Sequence, residues 1–393
     1  MKMLLCSLLL GISINLPAQD ASILQEKWSY HLINQNFSRP TCAVEFPNGR
    51  IMVGIYHSMM NNYNEFSTIL VLDSAGNKIR SVVLSDTMNN YVYDMSLASD
   101  TTAIIVGKAG PLGQNGTIPG DIYIAKLNVS GDIIWSRKYG SSDADEAKAV
   151  IPDGQGGAYV CGRVGFGDGD VSTYYGNRNS ADIWTLHIDA SGNILWQQTM
   201  GGSSYDRPYA MLKLADGGLL ILGESASYDG NIESCEGGFD ALMFKLDTIG
   251  NLVWKYSRGT KYNDTFIAAM VTDSLITAQL VQSEYVVRTG KTKREEFTIT
   301  MDQHGEVLSQ RKSDPDMIFE NGEAYYYFKK DPDDENSTRC LTVAETEPRR
   351  TYCFPWEAQT QLEDVLQLHN GDLLLLVGVY VRTLNAFIVR IEN

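Results

Sequence analysis

The sequence predicts an all-β fold made by repetition, and three observations carry that prediction. Asp121–Trp135 (DIYIAKLNVSGDIIW), Asp182–Trp196 (DIWTLHIDASGNILW) and Asp240–Trp254 (DALMFKLDTIGNLVW) repeat one pattern roughly every 60 residues, the mark of a repeat architecture. Each copy holds an alternating apolar strand, a tight Gly turn and a second strand carrying Trp, which is a hairpin by composition and period. Another strand pair around a polar Gly turn precedes each hairpin, as in Asp145–Val164 and Asp206–Glu224. Four strands per unit, a to d in chain order, make the blade of a β-propeller.

The elements follow in order. Residues 1–18 read as a signal peptide: a basic start at Met1-Lys2-Met3, an apolar run from Leu4 to Ile14, and small-residue cleavage after Leu16-Pro17-Ala18. Too little apolar sequence precedes Cys6 for a lipid anchor. Gln25–Leu32 is a strand with Trp28 in the place of Trp135, Trp196 and Trp254. Strands a and b recur at Cys42–Gly54, Val92–Gly107, Ala147–Val164, Asp206–Glu224, Phe266–Leu280, Ile318–Phe328 and Val365–Gly378. Besides the three clear copies, strand c recurs at Phe66–Asp73, Phe297–Asp302, Cys340–Ala344 and Ala386–Ile391, which makes seven. The last copy has no strand d behind it, and Gln25–Leu32 would supply one. The expectation is a single domain over 19–393, a propeller of seven antiparallel blades whose C-terminal blade is completed by the N-terminal strand, leaving no open edge. Repeat markers are weakest across Glu296–Trp356.

Composition narrows the function. Of the 393 residues 44% are hydrophobic and 20% charged, as in a packed globular chain rather than a disordered one. A net charge of −16 argues against nucleic-acid and anionic-membrane partners. Past the signal peptide no apolar run approaches the ~20 residues of a membrane span. Five of the six cysteines lie beyond it, with no C-x-x-C or Cys/His cluster to suggest zinc. Cys340 and Cys353 flank a hairpin centred near Thr346-Glu347, so an oxidising compartment would permit a disulfide between them; two free thiols are the alternative.

The D-x-x-G-[ND]-x-x-W hairpin resembles the repeats of secreted and surface bacterial propeller proteins, most specifically over Asp121–Gly259. That resemblance implies an exported propeller. The hairpin is also similar to the tryptophan-docking repeat of quinoprotein dehydrogenases, which implies that Trp28, Trp135, Trp196 and Trp254 pack between blades as buried residues. Quinoproteins carry a vicinal Cys pair and usually eight blades, and this sequence departs from both, so the resemblance implies no quinone. The turn is similar to the sialidase Asp-box too, but that family's Arg cluster and Tyr nucleophile have no counterpart here.

In such a blade the a-b and c-d turns share one face and the b-c and d-a loops the other. The first face has short Gly turns, such as Asp216-Gly217-Gly218. The second has the longer loops Lys108–Gly120, Gly165–Ala181, Ser225–Phe239 and Gln282–Glu295, and long loops on a rigid scaffold gather binding residues. Asp145, Asp206 and Asp264 share one repeat position at the start of strand a, with Ser38 and Asn90 as equivalents. They either ring the mouth of a central channel or cap the d-a turns by accepting backbone N–H bonds. Arg207, Tyr205 and Tyr262 stand beside them, and Tyr209 adds further aromatic surface. The candidate ligand site is therefore Asp145, Tyr205, Asp206, Arg207, Tyr262 and Asp264, with a neutral or partly cationic ligand expected from the acidic surroundings. Asp168, Asp170, Asp229 and Asn231 repeat as Asp-Gly-[Asp/Asn], either calcium ligands or turn formers; no other cofactor is expected.

No H-E-x-x-H, G-x-S-x-G or P-loop pattern occurs, so no catalytic residues are assigned. The sequence favours an exported binding or scaffold propeller for a glycan, peptide or protein of the envelope or exterior. Its rival is a hydrolase or lyase on extracellular polymer, drawing on the three aspartates as acids.

Overall fold

The computed structural model describes residues 26–33, 37–58, 65–84, 89–111, 120–232, 236–272, 274–286, 291–313, 317–320, 324–329, 340–343, 350–353, 360–379 and 385–391. Residues 1–18, read above as a signal peptide, and Cys235 lie outside them, and of Cys340 and Cys353 only the backbone is described.

After β1 (Glu26–Ile33), strands follow in fours. The first set is β2 (Phe37–Glu45), β3 (Ile51–Ser58), β4 (Glu65–Leu72) and β5 (Lys78–Val83). Next come β6 (Asn89–Ser99), β7 (Thr102–Gly110), β8 (Asp121–Asn128) and β9 (Ile133–Tyr139), then β10 (Glu146–Pro152), β11 (Ala158–Val164), β12 (Asp182–Ile188) and β13 (Ile194–Met200). The fourth set is β14 (Asp206–Lys213), β15 (Leu219–Ser225), β16 (Asp240–Leu246) and β17 (Leu252–Arg258), and the fifth β18 (Asn263–Val271), β19 (Leu275–Val286), β20 (Lys291–Asp302) and β21 (Val307–Lys312). The last strands are β22 (Met317–Glu320), β23 (Ala324–Lys329), β24 (Cys340–Val343), β25 (Arg350–Cys353), β26 (Thr360–Gln367), β27 (Leu373–Val379) and β28 (Asn385–Ile391).

Among the described residues these make seven four-stranded antiparallel sheets and no helix. Six sheets hold consecutive strands; the seventh runs β1-β28-β27-β26, with Trp28 opposite Arg390 and Leu32 opposite Ala386. The first strands of neighbouring sheets touch in series, β26 against β2, then β6, β10, β14, β18 and β22. Most middle strands are buried along nearly their whole length, as in β11, β15 and β16, because both faces of the sheet are covered by neighbours. Trp184, on such a strand, is fully buried and donates from Nε1 to Gln197 Oε1 at 3.0 Å.

The repeated turn has a plain mechanism. Asp189 Oδ1 accepts the N–H groups of Ser191 and Asn193, both at 2.8 Å, and Gly192 takes the left-handed conformation at φ 85°. Asp73, Asn128, Asp247 and Asp302 each bond the amides two and four residues on in the same way.

The bare face of this Gly receives a Trp from the sheet before it. A Cβ on Gly76 would strike Trp28 at 2.5 Å; one on Gly250 would strike Trp196 at 2.7 Å. Trp135 meets Gly192 and Trp254 meets Gly305 in the same arrangement. Three of the indoles also donate to the carbonyl two residues before their Gly: Trp28 to Ser74 at 3.2 Å, Trp135 to Ala190 at 3.0 Å and Trp254 to Gln303 at 3.1 Å. Trp196 Nε1 has no partner among the described residues. At the corresponding place on β5 stands Arg80, whose guanidinium pairs with Asp132 in the next sheet's turn. The four indoles are half-buried, not buried as expected, because strand d is outermost and one edge of each ring stays in water. Trp135→Ala is accordingly expected to cost ~2 kcal/mol, below the ~3–5 of a fully enclosed ring. Gly250→Ala should cost more than ~1 kcal/mol, since the side chain meets both a positive φ and the Trp196 ring. Denaturant midpoints of the two variants check both figures.

One expected loop is a strand pair. In place of a connection over Gln282–Glu295, β19 and β20 stay paired from Leu275↔Asp302 out to Val286↔Lys291. The alternating Thr, Lys, Arg and Glu of this stretch suit a solvated two-stranded ribbon. Cys340 and Cys353 are direct Cα partners across β24 and β25. That register is compatible with the expected disulfide, for which an intact mass lighter by two hydrogens than the reduced chain is the test.

Candidate ligand-binding site

The three repeated aspartates are not surface groups. Asp145, Asp206 and Asp264 are all wholly inaccessible to solvent. Asp145 accepts from Ser141 N–H at 2.5 Å and Gly165 N–H at 2.8 Å, tying the d-a turn to the b-c loop. Asp206 accepts from Gly202 N–H and Ser227 Oγ, each at 2.9 Å, and from Ser225 Oγ. Asp264 accepts from Thr260 N–H at 2.7 Å and Gln282 Nε2 at 2.6 Å. Of the two readings of these acids, the geometry is that of caps rather than of a ring at a channel mouth: loop donors close over the carboxylates. Ser38 and Asn90 are buried at the equivalent places, Ser38 bonded to His57 and Asn90 to Ser67 N–H at 2.8 Å. Burial pushes the Asp145 and Asp206 carboxyls up to about 6 despite these donors. It pushes Asp182, at the start of β12, to about 7. Asp182 Oδ2 accepts from Tyr175 N–H at 2.7 Å, while its Oδ1 has no partner among the described residues.

The calcium candidates are occupied in the same manner. Asp168 Oδ1 accepts from Ser142 N–H at 2.7 Å and Asp170 Oδ2 from Gly140 N–H at 3.1 Å. One repeat later, Asp229 takes Ser203 N–H at 2.7 Å and Asn231 takes Gly201 N–H at 2.8 Å. Gly169 and Gly230, at φ 61° and 73°, bring these loops flat against the carbonyls of Gly140 and Gly201. The repeated Asp-Gly-[Asp/Asn] thus clasps the b-c loop to the d-a turn, as its reading as a turn former expects. Among the described residues no group of three His, Cys, Asp or Glu side chains is placed to hold a metal.

Two of the six ligand candidates do converge. The Arg207 guanidinium lies 5.5 Å from the Tyr205 ring centre and 4.8 Å from that of Phe239, a b-c loop residue. It pairs with Glu224 at 3.4 Å and stays 40% exposed. Arg207 is the second residue of β14 rather than part of a loop, and Tyr205 bridges to Ala181 just before that strand. Tyr262 stands apart on the next d-a turn, its ring 4.9 Å from Lys261 Nζ.

The sequence pattern does not show the row of side chains between the inner strands. In six first strands the pairing register slips, leaving Thr41, Tyr93, Lys148, Tyr209, Ile267 and, described by its backbone only, Glu363 as extra residues of β-bulges, and β6 slips a second time between Leu97 and Ser99. A bulge re-aims side chains, so residues that alternation would send to opposite faces share one. Two cavities of about 280 Å³ lie beside these strands. Glu146, Lys148, Arg163, Arg207, Pro208 and Tyr209 line one. The other adjoins through Lys148 and Tyr209 and reaches Thr41, Tyr93 and Asp94.

One carboxylate organises the first cavity. Glu146 meets Arg163 Nε at 2.9 Å, Lys148 Nζ at 3.1 Å and the Tyr93 hydroxyl at 2.9 Å. Burial opposes its charge, but the two cations and these hydrogen bonds outweigh it and hold the carboxyl down at about 2. Lys148 lies 3.6 Å from the centre of the Tyr93 ring, and burial lowers its ammonium. Across the cavity Arg207 and Glu224 repeat the Glu146–Arg163 cross-strand pair with the charges exchanged. Tyr209 donates to Glu224 at 3.0 Å and is 45% exposed. Burial and the Glu224 charge push its hydroxyl up to about 12.

No protein-family model matches this chain, and no curated protein matches it in sequence. Among solved structures it is similar to the polysaccharide lyase Uly1 at 9% identity, over 97% of this chain and 94% of that one, with a TM-score of 0.50. YCF48 bound to D1 peptide is similar at 8% identity, over 95% and 100% of the two chains, with a TM-score of 0.49. The β-propeller domain of the Trilobed protease from Pyrococcus furiosus is similar at 8% identity, over 89% and 93%, with a TM-score of 0.46. Likeness at such identity concerns fold alone. With the sheet order, it places the chain in the β-propeller class of all-β folds.

Proposed function

We propose that this is an exported, single-domain β-propeller of seven blades, closed by β1, which binds an extracellular or envelope ligand. The binding face is the one carrying the b-c and d-a connections, and the ligand is a glycan, a peptide or another protein. The observation that carries this reading is the half-exposed Arg207 held between the Tyr205 and Phe239 rings beside an open cavity. A cation sandwiched by aromatics keeps its position without a ligand, so little ordering entropy is lost on binding. The rival reading, a hydrolase or lyase, relied on Asp145, Asp206 and Asp264, which serve as buried caps. Export rests on residues 1–18, and a mature chain beginning at Gln19 is its expected trace.

The test is a glycan and peptide array probed with mature protein, with hits checked in solution. The double variant Tyr205→Ala/Arg207→Ala is expected to lose a hit at least tenfold while keeping its melting temperature. Asp216→Ala, in a turn on the opposite face, is expected to keep it. Gly217 is left alone in that control because its φ of 83° tolerates no side chain. Loss of the hit in the turn variant and its retention in the double variant would mean the wrong face was chosen.

A further inference from the structure

The first cavity runs against the charge of the molecule around it. The chain carries a net charge of −16, yet Lys148, Arg163 and Arg207 line this cavity against the single acid Glu146. Counting Glu224, which pairs with Arg207, the cluster still holds one cation in excess. The expectation of a neutral or cationic ligand, drawn from overall charge, gives way to this local balance. Coulomb attraction in a half-enclosed site is decided by the nearest groups, since charges more than about 8–10 Å away through solvent are screened. All the cations here are held without a guest, two by Glu146 and one by Glu224 and the aromatic rings.

The shape of the site favours one source of anion. The two cavities share Lys148 and Tyr209, so they form consecutive compartments between the inner strands. Tyr209 lines both and is 45% exposed, and an aromatic ring is a surface on which a saccharide ring can stack. A peptide adding as a β-strand would need free backbone donors on the inner strand, and Val150 N–H of β10 already donates to Asp94 of β6 at 2.8 Å. We propose that these two compartments are adjacent subsites for an acidic saccharide, with the carboxylate of one sugar received by Lys148, Arg163 and Arg207. The assignment rests on the binding reading above and names the ligand class of that face. A carboxylate entering here would restore to Lys148 the charge stabilisation that burial removes.

Calorimetric titration of the mature protein with trigalacturonate, maltotriose and triglutamate tests it. Trigalacturonate is expected to bind at least tenfold more tightly than either of the others, and to weaken at least tenfold between 20 mM and about 500 mM salt, where the Debye length is short. Lys148→Met and Arg163→Gln should each weaken it at least tenfold, with folding of each checked by its melting temperature. Equal binding of maltotriose and trigalacturonate would overturn the anionic subsite while leaving a glycan-binding face standing. Tighter binding of triglutamate, or no trigalacturonate binding at millimolar concentration, would overturn the saccharide assignment. The wild-type titrations discriminate among these outcomes even if a variant fails to fold. Because Arg207 belongs to both the binding face and the acidic subsite, the array result on Tyr205 and Arg207 tests the face, and the Lys148 and Arg163 variants test the subsite.

Discussion

Deleting the residues before Phe37 is expected to lower stability by several kcal/mol, far beyond the roughly 0.5 kcal/mol of an ordinary surface change. β1 supplies the outer strand of the sheet that β26, β27 and β28 begin, and its removal strips the ladder from β28. Trp28, Tyr30 and Leu32 pack against the apolar cluster that joins this sheet to the β2–β5 sheet. Each is half-buried, so together they contribute on the order of 3 kcal/mol at half the usual side-chain burial energy. Trp28 also covers Gly76 in the neighbouring sheet, and Lys27 pairs with Asp372 at 3.1 Å. A melting temperature unchanged by the truncation would show that β1 is an appendage and would overturn closure by this strand.

The second large effect is expected at Asp206. Asp206→Ala removes the acceptor of one buried amide and two buried hydroxyls, and no other acceptor among the described residues is bonded to the Gly202 amide. Each stranded donor costs about 1–3 kcal/mol, so the expected loss is ~4 kcal/mol. Asp206→Asn keeps one acceptor oxygen without the buried charge and should lose far less. Urea midpoints of the two variants should differ by more than those of the matching Asp189 pair, where the donors face water.

The same burial makes stability depend on pH. Asp145, Asp182 and Asp206 have folded values pushed to about 6, 7 and 6, above the ordinary carboxylate range. The folded chain therefore holds these protons more tightly than the unfolded chain, and stability rises as pH falls from about 7 towards 4. His57 acts in the other direction, because burial lowers it to about 4 and the unfolded chain takes up its proton first. Three carboxyls outweigh one imidazole, so a higher urea midpoint at pH 5 than at pH 7.5 is expected. A lower midpoint at pH 5 would show that the caps are fully charged and unstrained.

What is legible in the sequence is whatever is decided within a few residues. The Asp-x-x-Gly turn forms from its own side-chain oxygen and its own left-handed Gly, so the hairpins β8–β9, β12–β13 and β16–β17 stand where the pattern places them. β11 runs from Ala158 to Val164, as its alternation and flanking turns indicate. Trp28 at the far end of the chain is recognisable because strand d carries the same residue in each clear copy.

The site is legible only in part. Tyr205 and Arg207 can be picked out beside a repeated acid, but whether that acid faces water depends on how Gly202, Ser225 and Ser227 fold over it. Those donors lie on two separate connections, and no local pattern announces that they meet. Glu146 and Lys148 escape the pattern for a related reason. Two residues apart, they share a face under plain alternation, but that this face borders a cavity with Arg207 and Tyr209 of the next sheet is decided by how the sheets pack. The sequence by itself determined the repeated sheets and their turns, because short-range hydrogen bonds and apolar periodicity suffice for those. Only the tertiary structure decided which acids are caps and which cations are left facing an open cavity, because burial and charge balance are set by neighbours distant in the chain.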